Sequence, residues 1–170
     1  MTFGQGIGTT GAQLASFYQA LGNDGVKVPL TLVEGCENPD GTVTETPSEE
    51  TEQVFSADTA EQVRGMMERV VTDGAFASQF DIPGYRVSAK TGTGEVASGG
   101  SYTSSRNISV AGVGPSDDPQ YAVVVSFVQP TESQSSSDAA PTFSKIFNQV
   151  FKTYRVSPST EPAPDYPMTW

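Results

Sequence analysis

Tyr85-Arg86-Val87-Ser88-Ala89-Lys90-Thr91-Gly92-Thr93-Gly94-Glu95 is the stretch from which the fold of this chain is read. It begins as a strand. Tyr85, Val87 and Ala89 alternate with Arg86, Ser88 and Lys90, which gives one apolar and one polar face. It ends in a cation, two hydroxyls and two glycines. Lys90 brings positive charge, and Thr91 and Thr93 bring hydroxyls that can donate to a carboxylate. Gly92 and Gly94 lack the side chains that would hold a ligand away from the backbone. Such a strand end suits an anionic or peptide-like substrate lying alongside it. The same residues also fit a plainer reading, a strand running into a Gly-Thr turn with Lys90 as a solvated surface charge.

The surrounding 170 residues are enough for one domain with a core and too few for two. Acidic residues number 20 against 9 basic ones, a formal charge of -11, which argues against nucleic acid or an anionic membrane surface as partner. The single cysteine, Cys36, excludes an internal disulfide and a multi-cysteine metal site, and no function attaches to it. The sequence has no histidine, so a Ser-His-Asp triad, a Cys-His pair and a His-rich zinc site are excluded too. No metal or cofactor is expected, and proton transfer must fall to Lys, Asp, Glu, Tyr or water. No apolar run is long enough to span a membrane, and Met1-Thr2-Phe3-Gly4 is not the start of a signal peptide. Any anchor is expected outside this segment.

Working outward, Phe3 to Gly11 is glycine-rich, and Gly6-x-Gly8-x-x-Gly11 formally matches a dinucleotide fingerprint. No strand precedes it and no βαβ unit follows, so a turn leading into a helix is the better account. Thr10 and Gln13 predict a capping box; Leu14, Phe17, Tyr18 and Leu21 recur on one helical face, and Gly22-Asn23-Asp24-Gly25 ends it. Val26 to Val33 reads as a short strand interrupted by Pro29, hence an edge strand or an extended connection. Residues 34–55 are polar, with a turn at Pro39-Asp40-Gly41 and a solvated acidic cluster at Glu49, Glu50 and Glu52, and predict a hairpin or exposed loop.

A second helix is predicted from an Asp58/Glu61 capping pair, with Val63, Met66, Met67, Val70 and Val71 along its core face and Gly74 as its stop. Phe76, Phe80 and Ile82 are apolar anchors before Pro83-Gly84. After Glu95, residues 97–106 are Gly/Ser/Thr-rich and predict a mobile loop. Asn107–Gly114 and Tyr121–Val128 then complete an antiparallel meander. Pro141 opens a last helix that carries Phe143, Ile146, Phe147, Val150, Phe151 and Tyr154 at helical spacing. Residues 156–170, with Pro158, Pro162, Pro164 and Pro167, predict a disordered or loosely draped tail after a domain of residues 1–155.

This order of elements resembles the C-terminal part of a class B penicillin-binding protein transpeptidase domain, of the serine β-lactamase-like superfamily. The resemblance is carried by FGQGIGTTGAQLASFYQALGNDG at Phe3 to Gly25 and GYRVSAKTGTG at Gly84 to Gly94. GVGP with DDP between Gly112 and Pro119, and AAPTF at Ala139 to Phe143, add to it. It implies an α+β fold: an antiparallel sheet packed against the C-terminal helix, plus a helical portion, as an incomplete transpeptidase fold. It also implies serine acyl transfer on D-Ala-D-Ala-ending cell-wall peptides, and β-lactam binding. By resemblance Lys90 supports the second motif and attracts the substrate carboxylate, and Thr91 and Thr93 hydrogen-bond it. Gly92 lets the substrate backbone approach, and the Thr93 N–H is an oxyanion donor.

Departures from the family pattern set the remaining expectations. SAKTGTG stands where AGKTGTA is commoner, a change of packing rather than chemistry. No S-x-x-K occurs, so this chain holds no nucleophile, and Ser105-Arg106-Asn107 follows K-T-G whereas the family's S-x-N precedes it. We read Ser105 and Asn107 as the lead-in to the next strand. The expected partners are therefore the N-terminal half of the domain, peptidoglycan stem peptides and β-lactams, at the extracytoplasmic face of a bacterial membrane that this segment does not itself contact. Without the nucleophile-bearing part, an apolar sheet face is expected to be uncovered. A β-lactamase, carboxypeptidase or β-lactam sensor of the same fold, or a non-catalytic cell-wall scaffold, are the alternatives.

Overall fold

A computed structural model describes residues 6–33, 35–47, 50–132, 134–163 and 165. Phe3 of the glycine-rich stretch, Glu49 of the acidic cluster, and Pro164 and Pro167 of the tail lie outside them.

Helix α1 (Gly11–Gly22) starts with the expected capping box: Gln13 N–H donates to Thr10 Oγ1 and Thr10 N–H to Gln13 Oε1. Past its end, Asp24 and Gly25 take φ of 50° and 83°. Only glycine suits the second position, because a Cβ there would overlap the Phe55 carbonyl. The strand expected to Val33 shrinks to β1 (Val26–Lys27), with Pro29 breaking the pairing two residues on. The polar region forms a hairpin of β2 (Gly35–Glu37) and β3 (Val43–Glu45), turned at Gly41, and then β4 (Glu52–Gln53), which pairs with β1. Thr42 hydrogen-bonds the Asp40 carboxyl through its side chain and its N–H, which lowers that group's pKa.

Helix α2 (Ala57–Asp73) departs from its expectation in two ways. Ser56, not Asp58, is the cap: its Oγ accepts from the Thr59 N–H, while Asp58 sits in the first turn against the helix dipole. The buried face is also rotated. Met66 is 52% exposed, and the face that packs inward carries Ala60, Arg64, Gly65, Met67 and Glu68. Gly74 is the C-cap, as expected.

The main sheet is a three-stranded antiparallel meander in the order β5 (Ser88–Ser98), β6 (Ser101–Gly114), β7 (Tyr121–Val128). The loop expected at 97–106 is instead strand. β5 and β6 run past the end of β7 as a two-stranded ribbon turned at Gly99-Gly100, both at positive φ. Ser98 pairs with Ser101 and Ala97 with Tyr102 beside the turn, and a bulge between Glu95 and Ala97 shifts the register against Thr103 to Ser105. Helix α3 (Ala140–Tyr154) has Pro141 in its first turn. Phe143, Phe147 and Phe151 stack along it at ring separations of 4.8 and 5.0 Å and are at most 1% exposed. They pack on Val87, Ala89, Val110, Val123 and Val125 of the sheet. Gly114 permits this approach, since a Cβ there would lie 2.9 Å from Phe151 Cζ. Each buried phenylalanine contributes about 1.5–3 kcal/mol before entropy is subtracted.

The α+β architecture matches the expectation; the uncovered sheet face does not. Helices α1 and α2 cover one face near the β5 root and β7, and α3 covers the other. Exposed apolar side chains gather on the connection after β1 (Val28, Leu30, Leu32 and Val33) rather than across the sheet. The first residues of the expected loose tail are also tied down. Val156 is buried and its carbonyl accepts from Tyr85 Oη at 2.9 Å.

Between α2 and β5 lies a buried ion pair. Arg86 Nε and Nη2 donate to Glu68 Oε1 and Oε2 at 2.6 and 2.7 Å, with the Glu68 side chain 2% exposed. This hydrogen-bonded carboxylate raises the Arg86 pKa further above its ordinary value, so the guanidinium stays charged at any working pH. We expect Glu68→Ala to lower the unfolding free energy by about 3–5 kcal/mol, because it strands a buried cation. The double variant Glu68→Met/Arg86→Met should lose much less. Urea unfolding of both checks this; equal losses would place the stability elsewhere than in charge pairing.

Candidate active site

The strand that carries Lys90 is anchored at its root and open along its outer edge. Ser88 is fully buried; its Oγ donates to the Arg64 carbonyl of α2 at 2.8 Å and lies 2.8 Å from Ser116 Oγ. Arg64 Nη1 in turn donates to the Leu21 carbonyl at the end of α1 and pairs with Asp24. The S-A pair before Lys90 is thus packed on both sides. Ser88 joins this network, and Ala89 faces Gly112, where an added Cβ would lie 2.8 Å from the Ala89 Cβ.

From Lys90 onward β5 pairs with β6 alone, and no described strand lies on its other edge. Lys90 and Thr93 are exposed; Thr91 and Gly92 are half-buried. Strand alternation sends Lys90 and Gly92 to the α2 side and Thr91 and Thr93 to the α3 side. The four therefore meet only along the strand edge. Lys90 Nζ donates to the Thr91 carbonyl at 2.9 Å. Residues two apart direct their backbone groups the same way, so the Thr93 N–H points to the side where that ammonium lies. The Thr91 and Thr93 hydroxyls form no hydrogen bond among the described residues. Gly92 is backed by Ser109, whose Oγ lies 2.8 Å from where a Cβ would be, while the Cβ position of Gly94 has no neighbour within 4 Å. Together the edge offers one cation, two hydroxyl donors and an accessible N–H: the equipment for binding a carboxylate and polarising a carbonyl.

Ser105 and Asn107 lie inside β6, not at its start. Asn107 pairs with Gly94, four positions along β6 from the partner of Lys90, or about 13 Å. Its Oδ1 accepts from the Gln129 N–H and so closes the end of β7. Two cavities, of about 280 and 590 Å³, lie beside α1 and include none of Lys90 to Thr93. Sequence reasoning missed Glu68, Arg64, Ser116 and Ser109. Arg64 and Glu68 follow Ala60 at i+4 spacing, the one pattern that places them inward.

The transpeptidase-domain model of the penicillin-binding proteins matches residues 1–148. The chain belongs to the penicillin-binding protein transpeptidase family. It is 34% identical to penicillin-binding protein PbpB of Mycolicibacterium smegmatis over 96% of this chain and 27% of that protein. It is 31% identical to the peptidoglycan D,D-transpeptidase FtsI of Escherichia coli over 92% of this chain and 26% of that protein. Among solved structures, a peptidoglycan synthetase from Bifidobacterium adolescentis superposes with a TM-score of 0.87 at 27% identity, covering 99% of this chain and 31% of that one. Penicillin-binding protein 3 from Mycobacterium tuberculosis, complexed with ampicillin, gives 0.83 at 32% identity, covering 95% and 38%. The relatives are class B penicillin-binding proteins of the PBP3/FtsI type. The chain spans about a quarter of the length of the relatives it matches, and its fold is the corresponding part of the penicillin-binding transpeptidase fold.

Within this family fold, two glycines separate packing from site. Gly112→Ala is expected to destabilise by about 1–3 kcal/mol, because its methyl would press on the Ser88 carbonyl and Ala89. Gly94→Ala, in open space, should leave the unfolding free energy within about 0.5 kcal/mol of the parent. Thermal unfolding of the two variants checks the contrast.

Proposed function

We propose that this chain is the C-terminal portion of a peptidoglycan D,D-transpeptidase and supplies the Lys90–Thr93 wall of its serine acyl-transfer site. The observation that carries the reading is the open edge of β5, where Lys90, two unengaged threonine hydroxyls and the Thr93 N–H converge, in a chain whose relatives are named D,D-transpeptidases.

In the reaction so read, a serine from the N-terminal half of the domain attacks the carbonyl between the two terminal D-alanines of a stem peptide. An ester forms at that carbonyl and the terminal D-alanine departs with the serine's proton. An acceptor amine then displaces the serine, forming the cross-link. The Thr93 N–H stabilises the oxyanion of each tetrahedral intermediate, a contribution of about 2.7–4 kcal/mol by analogy with other oxyanion donors. Thr91 and Thr93 hydroxyls hold the terminal carboxylate, and Lys90 attracts it and sustains the field at the second motif. Gly92 leaves the strand edge free for the peptide backbone. A β-lactam, with its carboxylate and strained amide, occupies the same positions and acylates the same serine. The reaction takes place on the extracytoplasmic face of the membrane, with the anchor and the S-x-x-K and S-x-N motifs in other parts of the polypeptide; among the described residues no helix is long and apolar enough to cross a membrane.

Two outcomes test this reading. Alone, the chain takes no label from a fluorescent penicillin; a labelled band at its mass would refute the assignment. In the complete domain, labelling appears and falls by about 100-fold or more with Lys90→Ala, and by about 10-fold or more with Thr93→Val. Parent-like labelling of both variants in a gel time course would remove these residues from the site.

A further inference from the structure

One serine after α3 joins three parts of the molecule. Ser159 Oγ accepts from the Arg86 N–H at 3.0 Å and donates to Asp117 Oδ1 at 2.7 Å. The Ser159 N–H donates to the Gly84 carbonyl at 3.0 Å. Residues 84 and 86 lead into β5, and Asp117 lies in the turn between β6 and β7. Three residues earlier, Val156 is buried, its carbonyl accepts from Tyr85 Oη and its N–H donates to the Phe151 carbonyl. Residues 84, 85 and 86 are thus each bonded to the segment that follows α3. That segment lies beyond residue 148, where the family match ends. The carboxylates of Asp117 and Glu161 also act on the Arg86 guanidinium, behind the larger effect of Glu68.

We propose that Val156–Ser159 is a strap that sets the lie of β5, and that Ser159 is a positioning residue for the Lys90 edge. This rests on the reading of that edge as the wall of an acyl-transfer site. Past Lys90 the strand has β6 on one side and no described strand on the other. Its outer edge is held by β6 alone, whereas at the root it has further anchors: Ser88 is bonded to α2, and Gly84, Tyr85 and Arg86 are bonded to the strap. A small rotation at the root is carried outward to Lys90 and Thr93. Misplacement by about 1 Å can cost an enzyme on the order of 100-fold in rate, so a partial release should register in acylation before it registers in folding.

The test uses the full-length protein that contains this chain, with Ser159→Ala, Ser159→Thr and Lys90→Ala. Hydrogen exchange is followed at the amides of residues 86–94. Stopped-flow acylation by a fluorescent penicillin separates the dissociation constant from the acylation rate constant. We expect Ser159→Ala to speed exchange at 86–92 and to lower the acylation rate constant by about three- to tenfold, with the dissociation constant changed by less than about twofold. Ser159→Thr, which keeps the hydroxyl, should restore both. Parent-like exchange in Ser159→Ala overturns the strap. Faster exchange with an unchanged rate constant, or no recovery in Ser159→Thr, overturns the positioning role. A parent-like rate in Lys90→Ala instead overturns the reading of the edge, and the exchange data then judge the strap by themselves.

Discussion

Glu68 places a carboxylate where almost no water reaches it, and the arrangement around α2 and β5 follows from that constraint. An ionised group so buried costs several kcal/mol unless it is paired and hydrogen-bonded. Arg86 meets both oxygens with a two-pronged contact that tolerates little sliding or rotation. The helix is therefore indexed to the strand at one point. One turn back, Arg64 uses its side chain to cap the end of α1 and its carbonyl to hold Ser88. The Phe143–Phe147–Phe151 ladder supplies the larger area of apolar burial, but area alone is non-directional. The ion pair and its neighbours supply the register.

The parts of the fold legible in sequence were those governed by periodicity. Thr10 and Gln13 marked a cap, the phenylalanines of α3 recurred at helical spacing, and Tyr121–Val128 read as strand to the residue. Hydrophobic pattern failed where charge is buried. It assigned Met66 to the core and passed over Arg64 and Glu68, because a pattern cannot see that Arg86 waits opposite. Composition misled at 97–106, where a stretch that looks like loop is strand, paired at Ala97–Tyr102 and Ser98–Ser101 and bulged at Thr103 to Ser105. The cap moved from Asp58 to Ser56 because both residue types can serve, and only chain geometry selects one. At the site, the residues of the Lys90–Thr93 stretch were visible in the motif. The seat beneath them was not, since Ser109, Ser116 and Ser159 are distant in sequence and ordinary in type.

The family match and the structure constrain each other. The meander with α3 behind it is the part of the penicillin-binding transpeptidase fold that this chain contributes, and both sheet faces at the β5 root are covered by its own helices. A cluster of apolar residues left in solvent lies instead on the connection after β1, where Val28, Leu30 and Val33 line the larger cavity beside α1. The K-T-G edge and that apolar surface are thus separate features of the molecule.

The alternation of Lys90 with Thr91 and Thr93 has a consequence for how such a site changes over time. Lys90 shares its face of the strand with Ser88, which is bonded to α2, while Thr91 and Thr93 share theirs with Ala89, which packs on α3. Substitutions behind one scaffold can retune charge without disturbing the hydroxyls, and those behind the other can reshape hydroxyl placement without moving the charge. A single strand thereby gives evolution two dials, one on each face, joined through the backbone where the Lys90 ammonium meets the Thr91 carbonyl.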